Sequence, residues 1–193
     1  MALTIENHVY REGEGIPLIL VHGFPVDHRM WDRCAIALME MSDAQECTQY
    51  PIWAPDMPGA GASPVPRPED SSARAEDGAL PDALDLMADA YVDLLHAAGY
   101  GQAIWAGLSM GGYLVLDVQR RHPEAVAGMA LLDTKGDADA PASRAHRIEI
   151  ARECVQRHTT DPVMFFTEVQ PGDSTVKQSP EYISQFSTWI REQ

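Results

Sequence analysis

The chain has 193 residues, enough for one domain with a substantial core. Apolar residues make up 45% of it, which separates it from disordered chains. Its 29 acidic and 14 basic side chains leave a formal net charge of -15. Such a surface repels phosphate backbones and anionic lipid, so neither nucleic acid nor a membrane is expected as a partner.

Cys34, Cys47 and Cys154 are odd in number and widely spaced, with no C-x-x-C pair. A disulfide framework and a zinc site are therefore not expected. Cys34 shares a helical pattern with Trp31, Ala35 and Leu38 and reads as a small buried hydrophobe. The first apolar run, Ile16 to Val21, is too late and too short for a signal peptide, and no run approaches transmembrane length. A reducing, cytoplasmic location is the expectation.

In chain order, Leu3-Thr4-Ile5-Glu6-Asn7-His8-Val9-Tyr10 alternates in polarity and predicts an edge or half-buried strand. Pro17 to Val21 is a continuous apolar run, as in a parallel strand buried on both faces, and it ends in His22-Gly23-Phe24-Pro25. Met30 to Met41 predicts a helix with Trp31, Ala35, Leu38 and Met39 facing inward. Pro51 to Ala54 reads as a short strand, and Pro55 to Ser63 as a loop. Residues 64–79, rich in Pro, Ser, Ala and charge, predict an exposed, mobile connection. Leu84, Met87, Tyr91, Leu94, Leu95 and Ala98 then form one stripe of a helix that closes at Gly99.

A strand at 103–106 leads into Gly107-Leu108-Ser109-Met110-Gly111-Gly112, followed by a helix to about Arg121. Pro123 stops that helix, and Val126 to Leu132 predicts another buried strand ending in Asp133-Thr134. The alternation implies an α/β fold, with right-handed crossovers and a mostly parallel sheet carrying helices on both faces. After Gly136 the patterns at 140–158, 162–169 and 180–192 are helical. The expected division is a core at 1–136 and a helical lid at 137–193 that lies over the carboxyl ends of the strands.

A serine flanked two residues away on each side by glycine, between a strand and a helix, reads as a nucleophile elbow. A helix-capping serine is the structural alternative. Ser109 is the expected nucleophile, and its place at a helix N-terminus favours developing negative charge.

Four motifs occur in order at strand ends: His22-Gly23-Phe24-Pro25, Asp56-x-x-Gly59-x-Gly61-x-Ser63, the elbow, and Leu131-Leu132-Asp133-Thr134. Together they resemble the α/β-hydrolase superfamily, above all small esterases and enol-lactonases of the 3-oxoadipate enol-lactonase type. The resemblance spans about residue 3 to 193. It implies hydrolysis of a small-molecule ester or lactone through an acyl-enzyme, with no cofactor and no metal. It places the oxyanion donors on the backbone N–H groups of Phe24 and Met110, with the Phe24 side chain lining the acyl pocket. The Asp56 loop is then structural, and His22 belongs to the oxyanion loop and is not the base. Trp31 and Trp105 are read as packing residues.

No histidine follows a strand after the lid, where the triad order would put it. Asp133 could serve as an acid in a variant arrangement but would still lack a histidine. The sequence thus carries the nucleophile half and most of a lid. The last strands, the acid and the base are expected outside it, so a truncated chain with impaired activity is the expectation. An inert or ligand-binding protein and a haloperoxidase-like perhydrolase are the alternatives. A haloalkane dehalogenase is disfavoured, because that chemistry uses aspartate where Ser109 stands. The oligomeric state stays open.

Overall fold

The computed structural model describes residues 3–47, 49–67, 70, 74–76 and 79–193. The chain divides into two compact units, Met1–Arg74 with Leu80–Gly136, and Ala75–Ala79 with Asp137–Gln193.

The first unit holds a five-stranded sheet of β1 (Asn7–Arg11), β2 (Leu18–Val21), β3 (Ile52–Pro55), β4 (Ala103–Leu108) and β5 (Val126–Leu132). Their spatial order is β1-β3-β2-β4-β5. All neighbours are parallel except β1, which runs antiparallel to β3. In register, Val21 lies opposite Gly107, and Leu108 opposite Leu132. The carboxyl ends of β2, β4 and β5 are therefore level at one edge, which is where a parallel α/β sheet presents its loops.

Three α-helices cover this sheet: α1 (Asp32–Ala44), α2 (Ala83–Ala97) and α3 (Met110–Arg121). Alternation along β2 sends Ile19 and Val21 to one face, with Trp105, Tyr91, Leu95, Leu114 and Val118 from β4, α2 and α3. Leu20 points to the other, with Trp31, Ala35, Ile52 and Ala54. Both tryptophans named above are packing residues, and the Trp105 indole donates to the Ala125 carbonyl at 3.0 Å.

Two sequence expectations are corrected. β5 has the predicted limits but is not a buried strand: Met129 is 45% exposed and Leu131 44%. Among the described residues β4 is its one strand neighbour. Cys34 is exposed, because the buried stripe of α1 passes through Ala35 and Ser42 and leaves Cys34 on its flank. The predicted 64–79 connection lies partly outside the described residues.

The second unit is helical, with no strand among its described residues: α4 (Pro141–Arg157), α5 (Phe166–Val169), α6 (Asp173–Gln178) and α7 (Pro180–Arg191). Val163, Phe186 and Ile190 are its buried side chains. The short α6 was not predicted. Among the described residues no helix is long and apolar enough to cross a membrane.

Candidate active site

Ser109 stands between the end of β4 and the start of α3, with φ 51° and ψ -113°. A serine at positive φ costs about 1–3 kcal/mol of strain and persists only where its surroundings hold it there. They do so through both of its backbone groups. Its N–H donates to Leu132 O at 3.0 Å, and its carbonyl accepts from Gly112 N–H at 2.9 Å and from the Thr134 hydroxyl at 2.7 Å. The Ser109 side chain makes no capping bond to the helix it precedes, so the capping alternative does not account for it.

The two flanking glycines have a steric cause. A Cβ on Gly107 would lie 2.7 Å from Gly112 N, and one on Gly111 would lie 2.6 Å from His22 O. Both obstacles are main chain, which cannot move aside as a side-chain tip can. The same closeness seats the N-terminus of α3 against the end of β2. The loop after β2 runs beside the elbow, for a Cβ built on Gly23 would lie 3.5 Å from Ser109 Cβ and 3.3 Å from Leu108 O. Phe24 follows, joined to Pro25 by a cis peptide. It is 41% exposed and so is not a core aromatic. Met110, at the other side of Ser109, begins α3 and packs partly buried against the core.

His22 is buried, and both of its ring nitrogens are engaged. Nε2 accepts from Met57 N–H at 2.8 Å, which places the proton on Nδ1, 3.0 Å from the Gly23 carbonyl it donates to. Burial lowers its pKa, so the ring is neutral. It ties the loop after β2 to the loop after β3.

Asp56 organises that second loop. Its buried carboxylate accepts from His28 N–H at 2.8 Å, from His28 Nδ1 at 2.9 Å and from Ala62 N–H at 3.0 Å. Ser63 donates to Asp56 O at 2.7 Å and accepts from Glu6 N–H at 2.9 Å. Burial alone would raise the Asp56 pKa, but the bonds from the His28 ring, Ala62 and the His28 backbone together outweigh it and lower it. The same bond raises the pKa of His28 against the effect of its burial. His8 stacks on His28 with ring centroids 4.3 Å apart. The Asp56 motif is thus a structural hub. Asp27, His28 and Asp56 bring potential metal ligands within 4.8 Å of one another. Those ligands are already engaged, Asp27 by Arg29 Nη2 at 2.6 Å and Asp56 as described.

No described histidine of the first unit hydrogen-bonds the Ser109 hydroxyl. His8, His22 and His28 are accounted for above, and His122 Nε2 meets Asp89 at 2.7 Å. His96 lies in the last turn of α2. In the second unit, His146 approaches Glu149 at 3.8 Å and His158 caps α4 at φ 50°. Asp133 is exposed, with φ 41°.

A strained serine at a strand-to-helix turn, on the carboxyl edge of a mostly parallel sheet, defines the α/β-hydrolase class. A model of the alpha/beta hydrolase fold family matches residues 16–158, and the chain belongs to that family. It is 29% identical over 136 residues to a 2-hydroxymuconate semialdehyde hydrolase of Pseudomonas sp., covering 70% of this chain and 42% of that protein. It is 31% identical over 133 residues to the lipase LipV of Mycobacterium tuberculosis, covering 68% and 42%. A thermophilic esterase from Thermogutta terrifontis superposes with a TM-score of 0.71 at 28% identity, over 98% of this chain and 61% of that one. The chain thus spans about two fifths of the length of these two curated relatives.

Three features of the site escaped sequence reasoning: the Met57 bond to His22, the His28 bond to Asp56, and the Thr134 bond to Ser109. Asp56 and Thr134 stood in recognisable motifs, but nothing in the spacing named their partners.

Proposed function

We propose that Ser109 is the nucleophile of a serine hydrolase acting on small carboxylic esters or lactones, with the N–H groups of Phe24 and Met110 as its oxyanion donors. The observation that carries this reading is the strained Ser109 at the start of α3, with the Gly23–Phe24 loop beside it. Its hydroxyl oxygen attacks the acyl carbon and the alcohol leaves. Water then attacks the acyl-enzyme and frees the acid. The helix N-terminus and the two N–H groups stabilise the oxyanion of each step. The hydrolase, lipase and esterase names of the relatives are in keeping with this chemistry. No cofactor enters it. The free thiols of Cys34, Cys47 and Cys154 support a reducing, cytoplasmic setting.

The hydroxyl proton needs an acceptor, and the first unit's histidines are bonded elsewhere, stacked or, for His96, in the last turn of α2. We therefore expect the 193-residue chain to turn over slowly, at the roughly 10³–10⁴-fold over water that oxyanion stabilisation and binding leave. Turnover of a short-chain aryl ester, measured beside Ser109→Ala, tests this. A slow rate abolished by Ser109→Ala supports the proposal. That no described histidine of the first unit bonds the Ser109 hydroxyl also favours a second reading, an inert or ligand-binding hydrolase-fold protein, and equal rates for both proteins would establish it.

A further inference from the structure

Resting on the reading of Ser109 as nucleophile, we propose that Thr134 is a positioning residue, whose hydroxyl aims the Met110 N–H at the oxyanion. The Thr134 hydroxyl donates to the Ser109 carbonyl at 2.7 Å. That carbonyl and the Met110 N–H belong to one planar trans peptide, so they point in opposite directions. Fixing the carbonyl fixes the N–H. Without Thr134 the peptide plane is held at its oxygen by Gly112 N–H, at 2.9 Å, from within the same first turn of α3. Thr134 supplies the anchor from outside the helix.

The chain is shaped to deliver this hydroxyl. β5 pairs with β4 as far as Leu132, whose carbonyl takes the Ser109 N–H at 3.0 Å. Asp133 then turns at φ 41°, the left-handed conformation that aspartate adopts only at a cost, and Thr134 is brought back to the other side of Ser109. Leu132 and Thr134 thus hold the two backbone polar groups of the strained serine. Space for Thr134 comes from Gly112, where a Cβ would lie 2.5 Å from Thr134 Cγ2 and 2.6 Å from its Cβ. The second glycine of Gly111-Gly112 and the threonine of Leu131-Leu132-Asp133-Thr134 are two halves of one contact. Thr134 bonds the nucleophile's backbone and not its hydroxyl, so it acts through the elbow's geometry.

The test is saturation kinetics of Ser109 labelling by an alkyl fluorophosphonate, with Thr134→Val and Thr134→Ser. Valine keeps the shape and removes the hydroxyl, while serine keeps the hydroxyl. Thr134→Val is expected to lower the maximal labelling rate roughly 10- to 100-fold with the half-saturating concentration unchanged. Thr134→Ser is expected to stay within about threefold of the parent. A Thr134→Val rate equal to the parent's, or equal losses in both variants, overturns the proposal. If the parent itself is labelled no faster than Ser109→Ala, the nucleophile reading fails instead. The crystal structure of Thr134→Val then decides the positioning claim: rotation of the 109–110 peptide is expected, and an unchanged peptide overturns it.

Discussion

Substituting alanine at Gly111 tests the packing that builds the elbow. The added Cβ would lie 2.6 Å from His22 O and 2.8 Å from Val21 C. Comfortable contacts need roughly 3.5 Å, so the start of α3 must retreat from β2 by about 1 Å. Overpacking of this kind costs about 1–3 kcal/mol. The upper end applies, because the obstacle is the main chain of a central strand whose Val21 is fully buried. Replacing glycine by alanine inside a helix returns about 1 kcal/mol. A net loss of about 2 kcal/mol remains, a fall in Tm of roughly 4–8 °C for a chain of this size. Gly128→Ala is the control, since its Cβ would meet only Ile104 Cγ1, at 3.8 Å. Thermal unfolding followed by circular dichroism measures both. The reasoning is refuted if Gly111→Ala melts at or above the parent, or if Gly128→Ala falls as far.

Three further outcomes are expected. Ser109→Gly relieves the positive-φ strain and should stabilise the chain by about 1 kcal/mol after the entropy of glycine is subtracted, measured by urea unfolding; destabilisation would mean that Ser109 is not strained. The His28 pKa is raised above 6.5 by its bond to Asp56, so folding favours the protonated ring. That contribution is complete below pH 6.5 and is lost as pH rises through the raised value. The stability gap between the parent and His28→Gln should therefore narrow toward alkaline pH, and a widening gap would contradict the pair's role. Leu131→Lys on the exposed edge strand should cost under about 1 kcal/mol, where a buried strand would lose far more.

The strand-to-helix turn at Ser109 was legible because part of its glycine pattern answers to local sterics. Gly107 meets the backbone of Gly111 and Gly112, which the turn itself brings close, whereas Gly111 meets the end of β2 at Val21 and His22, a contact that sheet order supplies. Strands β2, β3 and β4 were legible as short apolar runs because their faces are largely covered, Ile104 of β4 being the exception at 41% exposed. β5 shows why that signal has a limit. Val-Ala-Gly-Met-Ala-Leu-Leu reads the same whether one strand or two lie beside it, and periodicity carries no count of neighbours. Cys34 misled for a related reason, since one step around α1 from Ala35 is enough to leave the buried stripe. The bonds of Thr134 to Ser109, His28 to Asp56 and Met57 to His22 join residues 25, 28 and 35 positions apart. Sheet order decides such pairs, and no local pattern encodes them. β1 starts at Asn7 and not at Leu3 because its ladder with β3 ends at Pro55. The backbone of Glu6 bonds Asp56 and Ser63 instead.

Covalent capture of the nucleophile tests the central claim most directly. The chain is incubated with an alkyl fluorophosphonate, digested, and the adduct is located by mass spectrometry. The proposal predicts one phosphonyl group on the Ser109 hydroxyl of the folded protein, absent after urea unfolding and absent in Ser109→Ala. Label spread over other residues, or no more label on the folded chain than on the unfolded one, would contradict it.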